Sequence, residues 1–269
     1  MENDNKPNNT AAETTPENGP PSPPPIPEKR LTKTEELQVQ FVAMDKPATL
    51  PNTIDALLKK PASVLHDLQN GNFGKLSANL LITALICLGV FGFILGLFSG
   101  DKQLWSAPAK VVLGVGISGL ITLPSLYIFS CLNGLDVSIK SVAGVLASSL
   151  TLVSLLLIGL APVSWIFTQS TDSKVFVGFL TLVFWTIALG FGLSLIFKAA
   201  RIMGVKNRAH LAIWALIFTV VTLQMSTSLR PIIGSADTFL PTEKKFFLTH
   251  WFDEMSQIAE DAENGVYRR

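Results

Sequence analysis

Charge is what this chain has least of. Only 15% of its 269 residues are Asp, Glu, Lys or Arg, where a soluble globular protein carries about 25%. The charges present nearly cancel, at net +1, which excludes the basic footprint of a nucleic-acid binder. Cysteine is almost absent: Cys87 and Cys131 each stand alone among apolar neighbours, as small packing residues rather than ligands or disulfide partners. The three histidines, His66, His210 and His250, are too scattered for ligand spacing. No HExxH zinc site, intramembrane Asp pair or Ser/His dyad can be assembled from these residues. They therefore predict no enzyme, no catalytic or metal-binding residue and no cofactor.

No secretory leader is expected either. Residues 1–30 contain no apolar core, so the first apolar run is expected to serve as its own insertion signal. An Asn8-Asn9-Thr10 sequon matters only if that tail reaches a secretory lumen.

What the chain has instead is long apolar stretches. Hydrophobic residues make up 48% of the sequence, and the mean hydropathy is +0.42. Five runs of roughly 20–25 residues occupy 78–99, 109–132, 140–163, 174–197 and 208–227. Lipid offers a backbone no hydrogen-bond partner, so each run is best satisfied as a spanning helix. The expected fold is all-α: a polytopic membrane bundle of five transmembrane helices with amphipathic flanking helices. Its partners are then the lipid bilayer and other membrane proteins, or further copies of itself.

The flanks divide as follows. Residues 1–33 are a Pro-rich, low-complexity tail expected to be disordered, with polyproline II character around Pro20–Pro27. Residues 34–77 hold two short amphipathic helices. One, at about 53–59, carries Ile54, Leu57 and Leu58 on a face; the other, at about 62–69, carries Val64, Leu65 and Leu68. Pro61 opens the second and Asn70-Gly71 closes it. Their apolar faces suit the bilayer surface, the underside of the bundle or a soluble partner. The bundle spans 78–229. In 230–269, a pattern over 242–259 places Phe247, Trp251, Phe252 and Met255 on one face, an interfacial helix or, as the alternative, one folding back on the bundle.

Positive residues near span ends are retained in the cytoplasm. Lys59, Lys60, Lys75, Lys140, Lys198, Arg201, Lys206 and Arg208 fall on the side of the N-terminus. Lys102, Lys110, Lys174 and Arg230 fall on the other. The chain is thus expected in the cell (inner, cytoplasmic) membrane, N-terminus in the cytoplasm and C-terminus outside. Arg230, directly before Pro231, is the expected interface anchor.

No acidic or basic side chain falls in the middle of a run, which argues against a proton-coupled transporter or voltage sensor. Small residues recur at packing spacing instead. Gly92, Gly96 and Gly100 form a tandem GxxxG; Gly114 and Ser118, Gly144 and Ser148, and Gly190 and Ser194 follow in later runs. Pro124 breaks the second run beside Ser125, Tyr127 and Ser130, a possible polar seam. Pro162 should kink or end the third run. The string Gly114-x-Gly116-x-x-Gly119 mimics a dinucleotide fingerprint, but lies inside an apolar run rather than after a strand.

The layout of polar head, five clustered spans and short connectors resembles the Yip family of membrane proteins. Leu123–Phe129, Leu160–Val163 with Ser170–Asp172, and Leu229–Gly234 look like those of a bacterial group of five-span membrane proteins. The resemblance covers roughly residues 60–252. It implies the five-span fold and a trafficking-type role through protein partners, although the acidic tail motif of the eukaryotic relatives has no counterpart here. The expected function is a non-enzymatic membrane scaffold or assembly factor. A permease-type subunit or passive conduit is the alternative.

Overall fold

The computed structural model describes residues 41–71, 73–99, 103–171, 173–205 and 208–228. These fold as seven α-helices, with no strand among the described residues. They are α1 (Leu50–Lys59), α2 (Pro61–Asn70), α3 (Phe73–Ser99), α4 (Gln103–Leu132), α5 (Ile139–Ser170), α6 (Lys174–Ile202) and α7 (Ala209–Ser228). Gly100, Arg230 and the amphipathic pattern over 242–259 lie outside the described residues.

Four helices are long and apolar enough to cross a bilayer, over Phe73–Leu97, Leu104–Leu132, Ile139–Ser170 and Phe176–Ile202. Their outer faces expose Leu81, Leu85, Ile86, Leu120, Ile121, Ile128, Phe179 and Phe191, an apolar girdle that water would not tolerate. This is a multi-pass membrane protein. The apolar run of α7, Ala209–Met225, is shorter.

Every long helix outruns its apolar core. The second begins at Gln103 rather than 109, because Trp105, Ala107 and Pro108 continue the helical pattern. Lys110, expected at a span edge, therefore sits two turns inside α4, with 1% of its surface exposed. The third does not end at Pro162: α5 continues through it to Ser170.

Packing follows from which faces are small. α5 is the central helix, enclosing Ser148, Thr151, Ser154 and Leu157. It lies against α3 and α6, while α4 lies against α3 and α7. α4 touches α5 only lightly, and α6 barely meets α7. At the near end, where α3 begins and α4 ends, α1 and α2 fold onto α3 and α5. Ala62, Val64, Leu65 and Leu68 of α2 are buried there. Of the placements open to these amphipathic helices, packing against the bundle is the one adopted.

Both near-end hairpins turn the same way. Gly134 and Gly204 adopt φ of 76° and 92°, the left-handed conformation that ends helices when no Cβ is present. Each turn is closed by an amide reaching back five residues, Leu135 N to Ser130 O at 3.3 Å and Val205 N to Ala200 O at 3.0 Å.

Candidate functional site

Two of the predicted packing glycines seat a neighbouring helix. A Cβ on Gly92 would stand 2.7 Å from the Pro108 Cα, so Gly92 is where α4 crosses α3 within one chain. Gly96 is buried on the same helix. A Cβ on Gly144 would stand 3.2 Å from a methyl of Leu68, so this glycine admits α2, a neighbour the sequence pattern did not name. Ser148, one turn on, is enclosed and donates to the Gly144 carbonyl at 2.9 Å. In α6 the seat is Gly192 rather than Gly190. A Cβ on Gly192 would run into Val153 Cγ2, while Gly190 faces open space.

Polar contacts fasten the near end to the bundle. Asn79 of α3 donates through Nδ2 to the Ala48 carbonyl at 3.0 Å and to Thr53 Oγ1 at 3.4 Å. Thr53, on α1, is fully buried. The Met44 amide donates to Asp67 Oδ2 at 3.4 Å, and Phe41 packs edge-on against His66 with centroids 5.0 Å apart. Lys60 pairs with Asp45 at 3.1 Å. Lys59 sits 2.5 Å from Asp55 one turn away and holds that carboxyl below its ordinary range. Residues 41–48 thus form a strap bound to α2 and α3.

The proposed seam does not gather at one place. Pro124 is exposed, Ser125 and Tyr127 are half-buried, and Ser130 is buried; at 100° per residue they spread around α4. Ser125 Oγ donates to the Thr122 carbonyl at 2.8 Å and Ser130 Oγ to the Leu126 carbonyl at 2.8 Å. Ser130 does line a small recess at the near end with Leu126, Val145, Ile196, Ala200 and Leu211. That lining is apolar apart from the one committed hydroxyl.

Most interior hydroxyls are committed in the same way. Ser118, Thr122 and Thr222 each donate to a carbonyl one turn back, at 2.6–2.8 Å. Thr151 also reaches across, donating to Leu80 O of α3 at 3.0 Å. Trp214 of α7, fully buried and stacked on Phe218, donates through Nε1 to the Thr122 carbonyl at 3.0 Å. The buried hydroxyls of Ser141 and Ser164 have no hydrogen-bond partner, and they lie at opposite ends of α5. Among the described residues, no three His, Cys, Asp or Glu side chains group as metal ligands.

Gly192, Asn79 and Trp214 were not singled out from the sequence. A polar Asn just inside an apolar run was the one signal available for Asn79. The others depend on which helix lies opposite. Neither a family model, nor a curated protein, nor a solved structure matches this chain.

Proposed function

We propose that this chain is a five-span membrane scaffold that engages protein partners at its near end, in the cytoplasm. The observation carrying this reading is the strap and helical hairpin of residues 41–70. They are fixed to the bundle by the Asn79 and Leu68 contacts and to each other by the Met44–Asp67 bond, yet turn Val42, Leu50 and Leu58 outward. Apolar side chains held outward on a braced platform suit a partner surface. Interior hydroxyls already bonded to their own helices favour a bundle that holds its shape over one that handles a polar cargo.

The fifth span is α7. Its 20 residues reach about 30 Å at 1.5 Å each, the thickness of a bilayer core. With five crossings, the Lys and Arg distribution puts the N-terminus in the cytoplasm and the C-terminus outside. The Yip-like layout supports the same reading, since that resemblance implies work through protein partners. The conduit alternative rests on Pro124 and the recess beside Ser130.

A photo-crosslinking residue at Leu58 in native membranes, paired with flux measurements on the reconstituted protein, separates the two. A scaffold yields discrete protein adducts at Leu58 and no flux. Flux without adducts would make the chain a conduit.

A further inference from the structure

Lys198 and Arg201 close one face of α6. At 100° per residue they share it with Ile187, Gly190, Phe191 and Ser194. That face is turned out of the bundle: Ile187 is 45% exposed, Phe191 is 56% exposed, and Gly190 has open space where a Cβ would be. Within a bilayer the stripe meets acyl chains, and at the near end it stops on two cations three residues apart. Like charges at helical spacing repel. Asp136, in the α4–α5 connector, is the one acid in 103–170 or 174–228. Among the described residues no ion pair joins it, or any other carboxylate, to Lys198 or Arg201.

Arg201 is the more telling of the two. Lys198 is exposed, whereas Arg201 is half-buried, and its Nε is enclosed with no hydrogen-bond partner. Holding a guanidinium there costs the Nε its water, a loss that is offset when the outer nitrogens meet an anion. A helix C-terminus favours positive charge, but the turn itself does not require it. α4 ends in the same glycine turn, at Gly134 instead of Gly204. The residues three and six before that glycine are Cys131 and Ile128, both exposed and neither cationic.

We infer that Lys198 and Arg201 hold the phosphate of an anionic phospholipid in the near-end leaflet. The phosphate sits against the Arg201 guanidinium, whose planar fork matches two phosphate oxygens, with the Lys198 ammonium beside it. The acyl chains run up the stripe past Phe191 to the gap at Gly190. From Arg201 to Gly190 the helix rises about 16 Å, close to the depth of one leaflet of a bilayer core about 30 Å thick. A phospholipid supplies both halves of this face, an anion at the foot and apolar chains above it; a soluble anion supplies only the first. The lipid is net negative, because a zwitterionic headgroup would bring a third cation to two that already lack a carboxylate.

Native mass spectrometry of the full chain, released from detergent during titration with phosphatidylglycerol or with phosphatidylcholine of the same acyl chains, tests the site. The first phosphatidylglycerol should bind about tenfold more tightly than the first phosphatidylcholine. Arg201→Gln should abolish that preference, and Arg201→Lys should lose most of it, since an ammonium lacks the fork. Lys140→Gln removes an exposed cation at the same end of the bundle but off this face, and should leave the preference within about twofold of the parent. An equal loss from Lys140→Gln would reduce the preference to general surface charge and overturn the inference, as would a parent chain with no preference. Release of the bound phosphatidylglycerol by excess glycerol 3-phosphate would assign the cations to a soluble anion and overturn it as well; retention supports the lipid. None of these outcomes bears on whether partners bind at Leu58.

Discussion

The Trp214 indole donates its Nε1 hydrogen to the Thr122 carbonyl at 3.0 Å, tying α7 to α4 two residues before Pro124. Pro124 offers no amide to its own helix, and Ser125 Oγ bonds the same Thr122 carbonyl. The proline-bearing stretch of α4, which stays helical through Pro124, is thereby held by a local hydroxyl and by a ring from the helix opposite.

Trp214→Phe keeps the ring stacked on Phe218 but removes the donor, so it should cost about 0.5–1.5 kcal/mol. Trp214→Ala also leaves a cavity and should cost about 3–5 kcal/mol. Unfolding equilibria in bicelles check both. A Phe variant as stable as the parent would mean the bond contributes nothing.

Helix identity could be read from the sequence because apolar runs reveal themselves without knowledge of their neighbours. Helix contact could not. Gly190 and Gly192 are equivalent as sequence, but only Gly192 faces Val153 and Ser149. Likewise, Lys110 reads as an edge residue until Trp105, Ala107 and Pro108 extend α4 beyond it. The seat of Leu68 on Gly144 pairs residues 76 positions apart (68 and 144), a relation no local pattern carries.

The two tight glycines give a paired test. Gly92→Val and Gly192→Val should each destabilise by about 1–3 kcal/mol, since backbone or a packed side chain stands where the new atoms go. Gly116→Val, which faces open space, should stay within about 0.5 kcal/mol of the parent. Thermal melts in one detergent would rank the three, and equal losses would show that helix crossing is not what Gly92 and Gly192 serve.

Asn79→Leu removes both donors that hold the strap and α1. Amide exchange over 44–58 should accelerate by roughly tenfold per 1.4 kcal/mol lost, while α4–α7 exchange as before. Acceleration spread evenly through the bundle would contradict a separately fastened platform.

Acid should loosen α1 first. The Lys59 ammonium holds the Asp55 carboxyl below its ordinary 3.8, so the pair supports the helix above that value and is lost as pH falls through the lowered one. The pair is exposed, and the effect is accordingly small. Protection of the α1 amides, relative to their intrinsic exchange at each pH, should be flat from pH 8 to about 5 and fall only below 3.8. Lys59→Gln should remove the excess acid sensitivity; an unchanged profile in that variant would assign the loosening elsewhere.

A five-span scaffold requires α7 to cross the membrane as the fifth span, which puts the two termini on opposite sides. The direct measurement is a pair of fusions of a phosphatase active only outside the cytoplasm, one before Met1 and one after Arg269. The C-terminal fusion should be active and the N-terminal one silent, because Lys198, Arg201 and Arg208 hold the near end inside. Matching activity at both ends would mean α7 does not cross, and the platform of residues 41–70 would lose its place in a five-span scaffold.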